Sequence, residues 1–265
     1  MEKLYEGKAK ILYPTEDPDV LLTIFKDDAT AFNAQKKGQI LGKGAINCAI
    51  SAALFRWLET LGIPTHYINC PQNDQMLVKA VNIIPLEVVV RNIAAGSLCK
   101  QTGLKEGLVL SNPLVEFYFK DDALGDPLLT WERALLLGVT DEAGLQTLKD
   151  LALNINQHLQ RFFAQCDITL VDFKLEFGGD RQGRIILADE ISPDTCRLWD
   201  NAQADPQDRV LDKDRFRRDL GEIEAAYQTV EKRVLSQIER LQSQMGAFLS
   251  LIHISEPTRQ MQPSR

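Results

Sequence analysis

The chain has 265 residues, 45% of them hydrophobic and 25% charged, which suffices for a full core in one large domain or two lobes. Its net charge of −7 argues against a general nucleic-acid or membrane-surface binder, and any site for anionic substrates must gather Lys and Arg locally. The five cysteines, at positions 48, 70, 99, 166 and 196, follow no CxxC spacing, so a reducing compartment is expected, not a disulfide framework or a zinc site.

Met1 leads directly into strand-like sequence without a charged-then-apolar leader, and no apolar run approaches the ~20 residues of a membrane helix. A cytoplasmic protein is expected. Residues 2–13 read as strand, tight turn, strand, with Gly7, Lys8, Ala9 and Lys10 at the turn. Gly7 lets backbone approach a ligand, and the two ammonium groups suit phosphate. The turn is not a Walker loop, because GxxxxGK[ST] is missing and no helix follows. A solvated hairpin tip would look the same.

A short apolar strand at 21–25 precedes a loop at 26–33, where Asp27 and Asp28 suit turn or capping roles. Ile46, Ala49, Ile50, Ala53, Leu54 and Trp57 recur at helical spacing, and Gly62 followed by Pro64 ends that helix. Strands are expected at 65–68, 75–81 and 85–90, with 82–85 as an interruption joining two lobes. Lys79 lies between apolar Leu77 and Val81, as an edge-strand charge or a ligand contact. Arg91 ends an apolar strand and needs an anion there, since an unpaired buried charge is costly. Gly96-Ser97 opens a helix, so Ser97 suits both a cap and a phosphate ligand.

Residues 114–120 alternate as a strand ending at Lys120. Residues 141–165 form one amphipathic helix capped by Asp141, with Leu145, Leu148, Leu151, Leu153, Ile155, Leu159 and Phe162 mostly on one side. Helices are expected at 212–220 and 222–241. The terminal residues break the pattern, and Pro257 and Pro263 oppose a continued helix.

Residues 170–200 read as a β-hairpin. Asp172, Lys174 and Glu176 alternate with Val171, Phe173, Leu175 and Phe177, one charged face against one apolar face. A two-residue turn at Gln182-Gly183 sets Glu176 opposite Asp189 with Cβ atoms ~5 Å apart, a like-charge contact that a divalent cation such as Mg²⁺ relieves. A wider turn over 180–183 slides the carboxylates two residues, ~7 Å, apart along the strands and opposes a shared metal.

LVDFKLEFG followed by LADEISPDTCRLWD resembles the SAICAR synthetase (phosphoribosylaminoimidazole-succinocarboxamide synthase) family. The likeness runs through LYEGKAKILY, FKDDATAFN, GIPTHYI, PLEVVVRNIAAGSL and FKDDALGDP, from about residue 4 to 238, in the family's order. The resemblance implies an α/β (α+β) fold of two lobes, related to kinase and ATP-grasp architectures. Residues 1–84 would be the sheet-rich nucleotide-binding lobe and 85–244 the α/β substrate and metal lobe, with 245–265 a tail without function. The implied activity joins L-aspartate to the carboxylate of carboxyaminoimidazole ribonucleotide (CAIR), using ATP and Mg²⁺, and gives SAICAR, ADP and phosphate.

On this resemblance Gly7, Lys8, Lys10, Lys79 and Lys120 attend ATP, and Lys120 and Lys174 stand at the reacting groups. Arg91, Ser97, Asp172, Lys174 and Arg197 hold CAIR, and Glu176 and Asp189 hold Mg²⁺. The partners expected are small molecules, neither nucleic acid nor membrane, and a homo-oligomer is compatible with the sequence. A small-molecule kinase of the same general fold is the alternative, weakened by the missing HRD and DFG. A ligand-binding module without catalysis would require loss of a phosphate lysine or metal carboxylate, and all are present.

Overall fold

Alternation over residues 168–179 decides the architecture, because a strand with one apolar and one charged face must cover a core on one side only. In the computed structural model, which describes residues 2–31 and 35–254 with side chains to Gln244, that strand is central to the larger of two antiparallel sheets. The first sheet contains β1 (Tyr5–Glu6), β2 (Lys10–Pro14), β3 (Val20–Phe25), β7 (Gln75–Lys79) and β6 (Tyr67–Gln72), in that order. A separate ribbon pairs β4 (Asp28–Ala31) with β5 (Lys36–Gln39). Helix α1 (Lys43–Thr60) leads from the ribbon back to the sheet, burying Ile46, Ile50, Leu54, Phe55 and Leu58.

The second sheet runs β10 (Leu128–Leu129), β9 (Val109–Phe119), β8 (Asn82–Ile93), β11 (Ile168–Gly179), β12 (Ile185–Ala188), and β13 (Cys196–Asp200) also pairs with β11. Leu86, Val88 and Val90 of β8 and Phe173, Leu175 and Phe177 of β11 are buried beneath α4 (Glu142–Gln165), whose Leu145, Leu148, Ile155, Leu159 and Phe162 share that core. Each such side chain contributes about 2 kcal/mol by leaving water. Asp141 caps α4 as expected, accepting from the Gly144 N–H at 2.7 Å. Short helices α2 (Ser97–Thr102), α3 (Trp131–Leu136) and α5 (Asp214–Arg217) fill connections, and α6 (Ile223–Ile254) closes the described chain against α1.

Four expectations need correction. Residues 28–31 are a strand, not loop, because β5 supplies a ladder partner; Phe32 and Asn33 of that stretch lie outside the described residues. Residues 82–85 do not interrupt anything. The chain breaks at 80–81, and β8 begins at Asn82 with Pro85 inside it. The helix expected at 212–220 is reduced to Asp214–Arg217, because Arg215 spends its guanidinium on the carbonyls of Val210 and Gly221. The last helix continues to Ile254, past the point where a tail was expected to break it; Pro257 and Pro263 lie outside the described residues.

The segment before β6 ties the sheets together. His66 donates its N–H to the Leu187 carbonyl at 2.9 Å, and its own carbonyl accepts from Lys79 N–H at 2.7 Å. Its buried imidazole meets the Phe55 ring edge-on at 5.3 Å. Burial, then the Lys10 charge, draws the His66 pKa down to about 3. Between that value and ~6.5 the unfolded chain binds the extra proton, so stability falls as pH drops. From pH 7 to pH 5 this group removes about 2 kcal/mol of stability, while buried Asp212, its pKa raised to about 7 by burial, acts in the opposite direction. In urea melts His66→Phe should therefore lose less stability, or gain more, than the parent between pH 7 and pH 5, by about 2 kcal/mol, and identical pH dependence in the two proteins would refute the His66 contribution.

Candidate active site

The charged face of the second sheet is assembled by register. Asp172, Lys174 and Glu176 of β11 lie opposite Arg91, Val89 and Glu87 of β8, and those lie opposite Leu114, Glu116 and Tyr118 of β9. Glu176 and Glu87 are direct cross-strand partners, an arrangement of like charges that costs energy unless a cation intervenes. Lys174 is that cation. Its ammonium donates to Glu87 Oε1 at 2.9 Å and to Glu176 Oε1 at 2.8 Å.

The hairpin after β11 corrects the register expected from sequence. Glu176 pairs with Ala188, not Asp189, because the turn holds three residues. Gly183 N–H reaches the Asp180 carbonyl at 2.9 Å, Asp180 N–H reaches Arg184 at 2.9 Å, and Gly183 adopts φ +74°. A turn of that kind needs a left-handed residue at its third position, which glycine supplies without strain. The one-residue slip would send Asp189 to the other face, but Asp189 itself takes φ 64° and leaves the ladder. Its carboxylate returns to within 3.8 Å of the Lys174 ammonium. Both carboxylates thus meet at Lys174, although not by the route the turn had suggested.

Between β12 and β13 the chain detours over residues 189–195 while both strands stay paired with β11. Lys10 comes in from the first sheet, closes on Asp189 and lies 3.0 Å from Glu190 Oε1. Lys120, just past β9, closes on Glu176 Oε2. Burial alone would lower the Lys174 pKa, but Glu176, Asp189 and Glu87 outweigh it and hold it well above the usual lysine value. Burial likewise works against ionised Asp189, yet Lys10 and Lys174 keep its pKa below the carboxylate range. Three lysines from three strands or strand ends therefore neutralise a nest of carboxylates.

A second cluster adjoins the first along β11. Arg91 donates through Nε to Glu116 at 2.6 Å, through Nη1 to Asp172 at 2.9 Å, and through Nη2 to Ser97 Oγ at 2.9 Å and Tyr118 Oη at 3.1 Å. The anion that buried Arg91 needs is therefore internal. Arg197 donates to the same Asp172 oxygen at 2.7 Å and to Asp214 at 2.8 Å. Among the described residues its Nη2 makes no hydrogen bond, which leaves that nitrogen for an outside anion. Gly96, at φ 55°, permits this placement, because a Cβ there would stand 2.3 Å from Arg197 Nη2. The helix cap is Gly96, and Ser97 is the first helical residue.

The remaining expected residues sit at the margins. Gly7 closes the β1–β2 turn through its N–H to the Lys10 carbonyl at 2.8 Å, and exposed Lys8 reaches Asp122 beyond β9 at 2.7 Å. Lys79 lies apart, donating to the Thr65 carbonyl at 2.9 Å. Sequence reasoning missed Glu87, Glu116, Tyr118, Glu190 and Asp214. Glu87 shares the parity of Val89 and Arg91, so its face was legible once β8 was a strand. Glu190 and Asp194 were hidden in the irregular detour. Asp194 is buried with Lys43 at 2.8 Å and accepts from Tyr227 Oη at 2.7 Å, and Ser192 Oγ donates to Glu190 at 2.5 Å.

The family model described as SAICAR synthetase matches residues 3–234. A phosphoribosylaminoimidazole-succinocarboxamide synthase of Synechocystis sp. (strain ATCC 27184 / PCC 6803 / Kazusa) is 97% identical over 248 residues, 94% of this chain and 94% of that protein. The crystal structure of the Ehrlichia chaffeensis phosphoribosylaminoimidazole-succinocarboxamide synthase matches with TM-score 0.85 and 43% identity, over 88% of this chain and 98% of that one. A SAICAR synthetase (Type-2) in complex with ADP matches with TM-score 0.83 and 46% identity, over 88% and 97% of the two chains.

Lys174→Met removes the ammonium between Glu87 and Glu176 and should cost about 2 kcal/mol in urea unfolding, because it leaves buried Glu176 opposed to half-buried Glu87. Adding Glu87→Gln should recover a substantial part of that loss. A double variant as unstable as the sum of its singles would show that the three groups are not coupled.

Proposed function

The chain belongs to the SAICAR synthetase family, and we propose that the lysine–carboxylate cluster beneath the 189–195 detour is where this ATP-dependent ligase of purine biosynthesis does its chemistry. The reaction joins L-aspartate to the carboxylate of CAIR, giving SAICAR, ADP and phosphate. A carboxylate resists attack by an amine because oxide is a poor leaving group. Phosphorylated by ATP, it becomes an acyl phosphate from which phosphate departs. Such transfer asks chiefly for positioning and charge neutralisation.

One observation carries the assignment: Lys10 of the first sheet meets Asp189 and Glu190 of the second, so phosphate-seeking and metal-seeking groups converge where the sheets face each other. ATP lies between the two lobes on this reading, 1–84 and 85–244, with Gly7, Lys8 and Lys10 over its phosphates and Lys79 toward its nucleoside side. Lys120 and Lys174 stabilise negative charge at the reacting carboxylate. Ser97, Arg91 and Arg197 grip the CAIR phosphate, for which Arg197 Nη2 and the Ser97 hydroxyl hydrogen are available donors. Asp172 orients both arginines by accepting from each with one oxygen.

Glu176 and Asp189 offer hard oxygen donors that already meet at one cation, Lys174, as a divalent ion would require. They would hold Mg²⁺, which supplies positive charge against the phosphate oxygens. Mg²⁺ usually takes one or two carboxylates and keeps waters and phosphate oxygens as its other ligands, and these two side chains would supply the carboxylates. Among the described residues no helix is long and apolar enough to cross a membrane, and a cytoplasmic location fits small-molecule substrates. Residues 245–265 take no part in the site on this reading.

ADP release should require CAIR, ATP and a divalent cation, with SAICAR forming only when L-aspartate is added. Glu176→Gln and Asp189→Asn should each lower turnover by about two orders of magnitude or more while leaving the fold intact. Near-normal turnover in both would place the metal elsewhere. Arg91→Ala should raise the KM for CAIR far more than the KM for ATP, whereas an equal rise in both would remove Arg91 from the CAIR subsite.

A further inference from the structure

Two thiols far from the lysine–carboxylate cluster face each other. Cys48 is fully buried in the middle of α1, and Cys70 lies exposed on β6, the edge strand of the first sheet. Their sulfurs are 3.8 Å apart and hydrogen-bonded. We propose that Cys48 and Cys70 form a reversible dithiol–disulfide pair in which a hydroperoxide oxidises exposed Cys70 and buried Cys48 resolves it.

Access is asymmetric. Cys70 opens on a cleft of about 750 Å³ lined by Arg56, Trp57 and Tyr67 and by the side of α6 that bears Leu235 and Ile238. Cys48, at 0% exposure, is closed to solvent and has Cys70 as its sulfur neighbour. The hydrogen bond from Cys48 draws the Cys70 pKa down, and Tyr67 and Arg56 favour the thiolate further against the opposing effect of burial, to about 7. The same contact, with burial, pushes the Cys48 thiol up, so at neutral pH one member is a nucleophile and the other remains a thiol.

The backbone has room to close the gap. Between the pairs Asn69–Leu77 and Gln72–Gln75 the β6–β7 ladder is irregular, and Cys70 falls in that stretch next to Pro71. A disulfide needs the sulfurs to move together to about 2 Å, which a side-chain turn and a small shift of an unpaired edge can supply. Such contacts distinguish this pair from Cys166 and Cys196, which are buried, lie on other elements, and have thiols pushed up by burial.

The chemistry balances with one equivalent of hydroperoxide. The Cys70 thiolate attacks the peroxide, its O–O bond breaks, and the leaving oxygen takes a proton to become water or an alcohol. The resulting sulfenic acid is attacked by Cys48, the S–S bond forms, and the sulfenic oxygen departs as water with the Cys48 proton. Two thiols lose two electrons to the peroxide. Without a resolving partner, an exposed thiolate of this kind proceeds to sulfinic acid, which thiols do not reverse.

The test treats the folded chain with hydrogen peroxide at pH 7.5, quenches it, unfolds it in denaturant with an alkylating agent, and maps the peptides by mass. A loss of two hydrogens, a peptide pair linking residues 48 and 70, alkylation of the other three cysteines, and full reversal by dithiothreitol are expected. Cys48→Ser should instead accumulate Cys70 as sulfinic acid, and Cys70→Ser should leave Cys48 unmodified. Linkage through any other cysteine would overturn the proposal. Sulfinic acid at Cys70 in the unaltered protein, formed as fast as in Cys48→Ser, would overturn it as well.

Discussion

Lys174 sits between two carboxylates that the sheet register forces together. Glu87 and Glu176 are partners across β8 and β11, and no side-chain rotation takes both far apart while the strands remain paired. The register is fixed from the other face, where Leu86, Val88, Val90, Phe173, Leu175 and Phe177 share one core. Slipping β11 by one residue would bury Asp172, Lys174 and Glu176 in that core and expose the phenylalanines. The apolar face therefore enforces the charged face. Hydrophobic burial, worth about 2 kcal/mol per side chain, holds like charges within reach of a single cation.

The same strand explains why the site is open on one side. β11 is long enough to pair with β12 along one half of its edge and with β13 along the other. The connecting chain must leave the plane between them, and it is secured from outside: Ser51 Oγ of α1 donates to the Ile191 carbonyl at 3.1 Å, and Lys43 and Tyr227 hold Asp194. Asp189 and Glu190 head this detour. The anchors of the detour thus fall at Ile191 and Asp194, after the two carboxylates and not on them.

What was legible in the sequence follows from these constraints. Alternation exposed the charged face of β11, and the Gly and Asp turn residues located the hairpin. Arg91, Ser97, Asp172 and Arg197 meet in the structure, as do Lys10, Lys120, Lys174, Glu176 and Asp189. Turn length was not legible, because Asp180 can open either a two- or three-residue connection and its side chain decides by accepting the Gln182 and Arg184 N–H groups. The positive φ of Asp189 had no sequence signal either, since Asp tolerates that region without requiring it. Cross-strand residues such as Glu87 and Glu116 become site residues only when strand order is known.

An acidic chain that handles anionic substrates faces a local problem, and the cluster addresses it with its own ion pairs. Lys10, Lys120 and Lys174 are each committed to carboxylates in the structure. A phosphate arriving without a cation would have to compete with those carboxylates for the lysines. On the proposed function, a divalent cation held by Glu176 and Asp189 would free those ammonium groups for phosphate oxygens. Compensation matters in such a site because an uncompensated buried charge costs several kcal/mol. Glu87 and Glu190 give Lys174 and Lys10 a second carboxylate partner each. Two of the residues not foreseen from sequence, Glu87 and Glu190, thus have a physical task, to share in holding the lysines of the cluster.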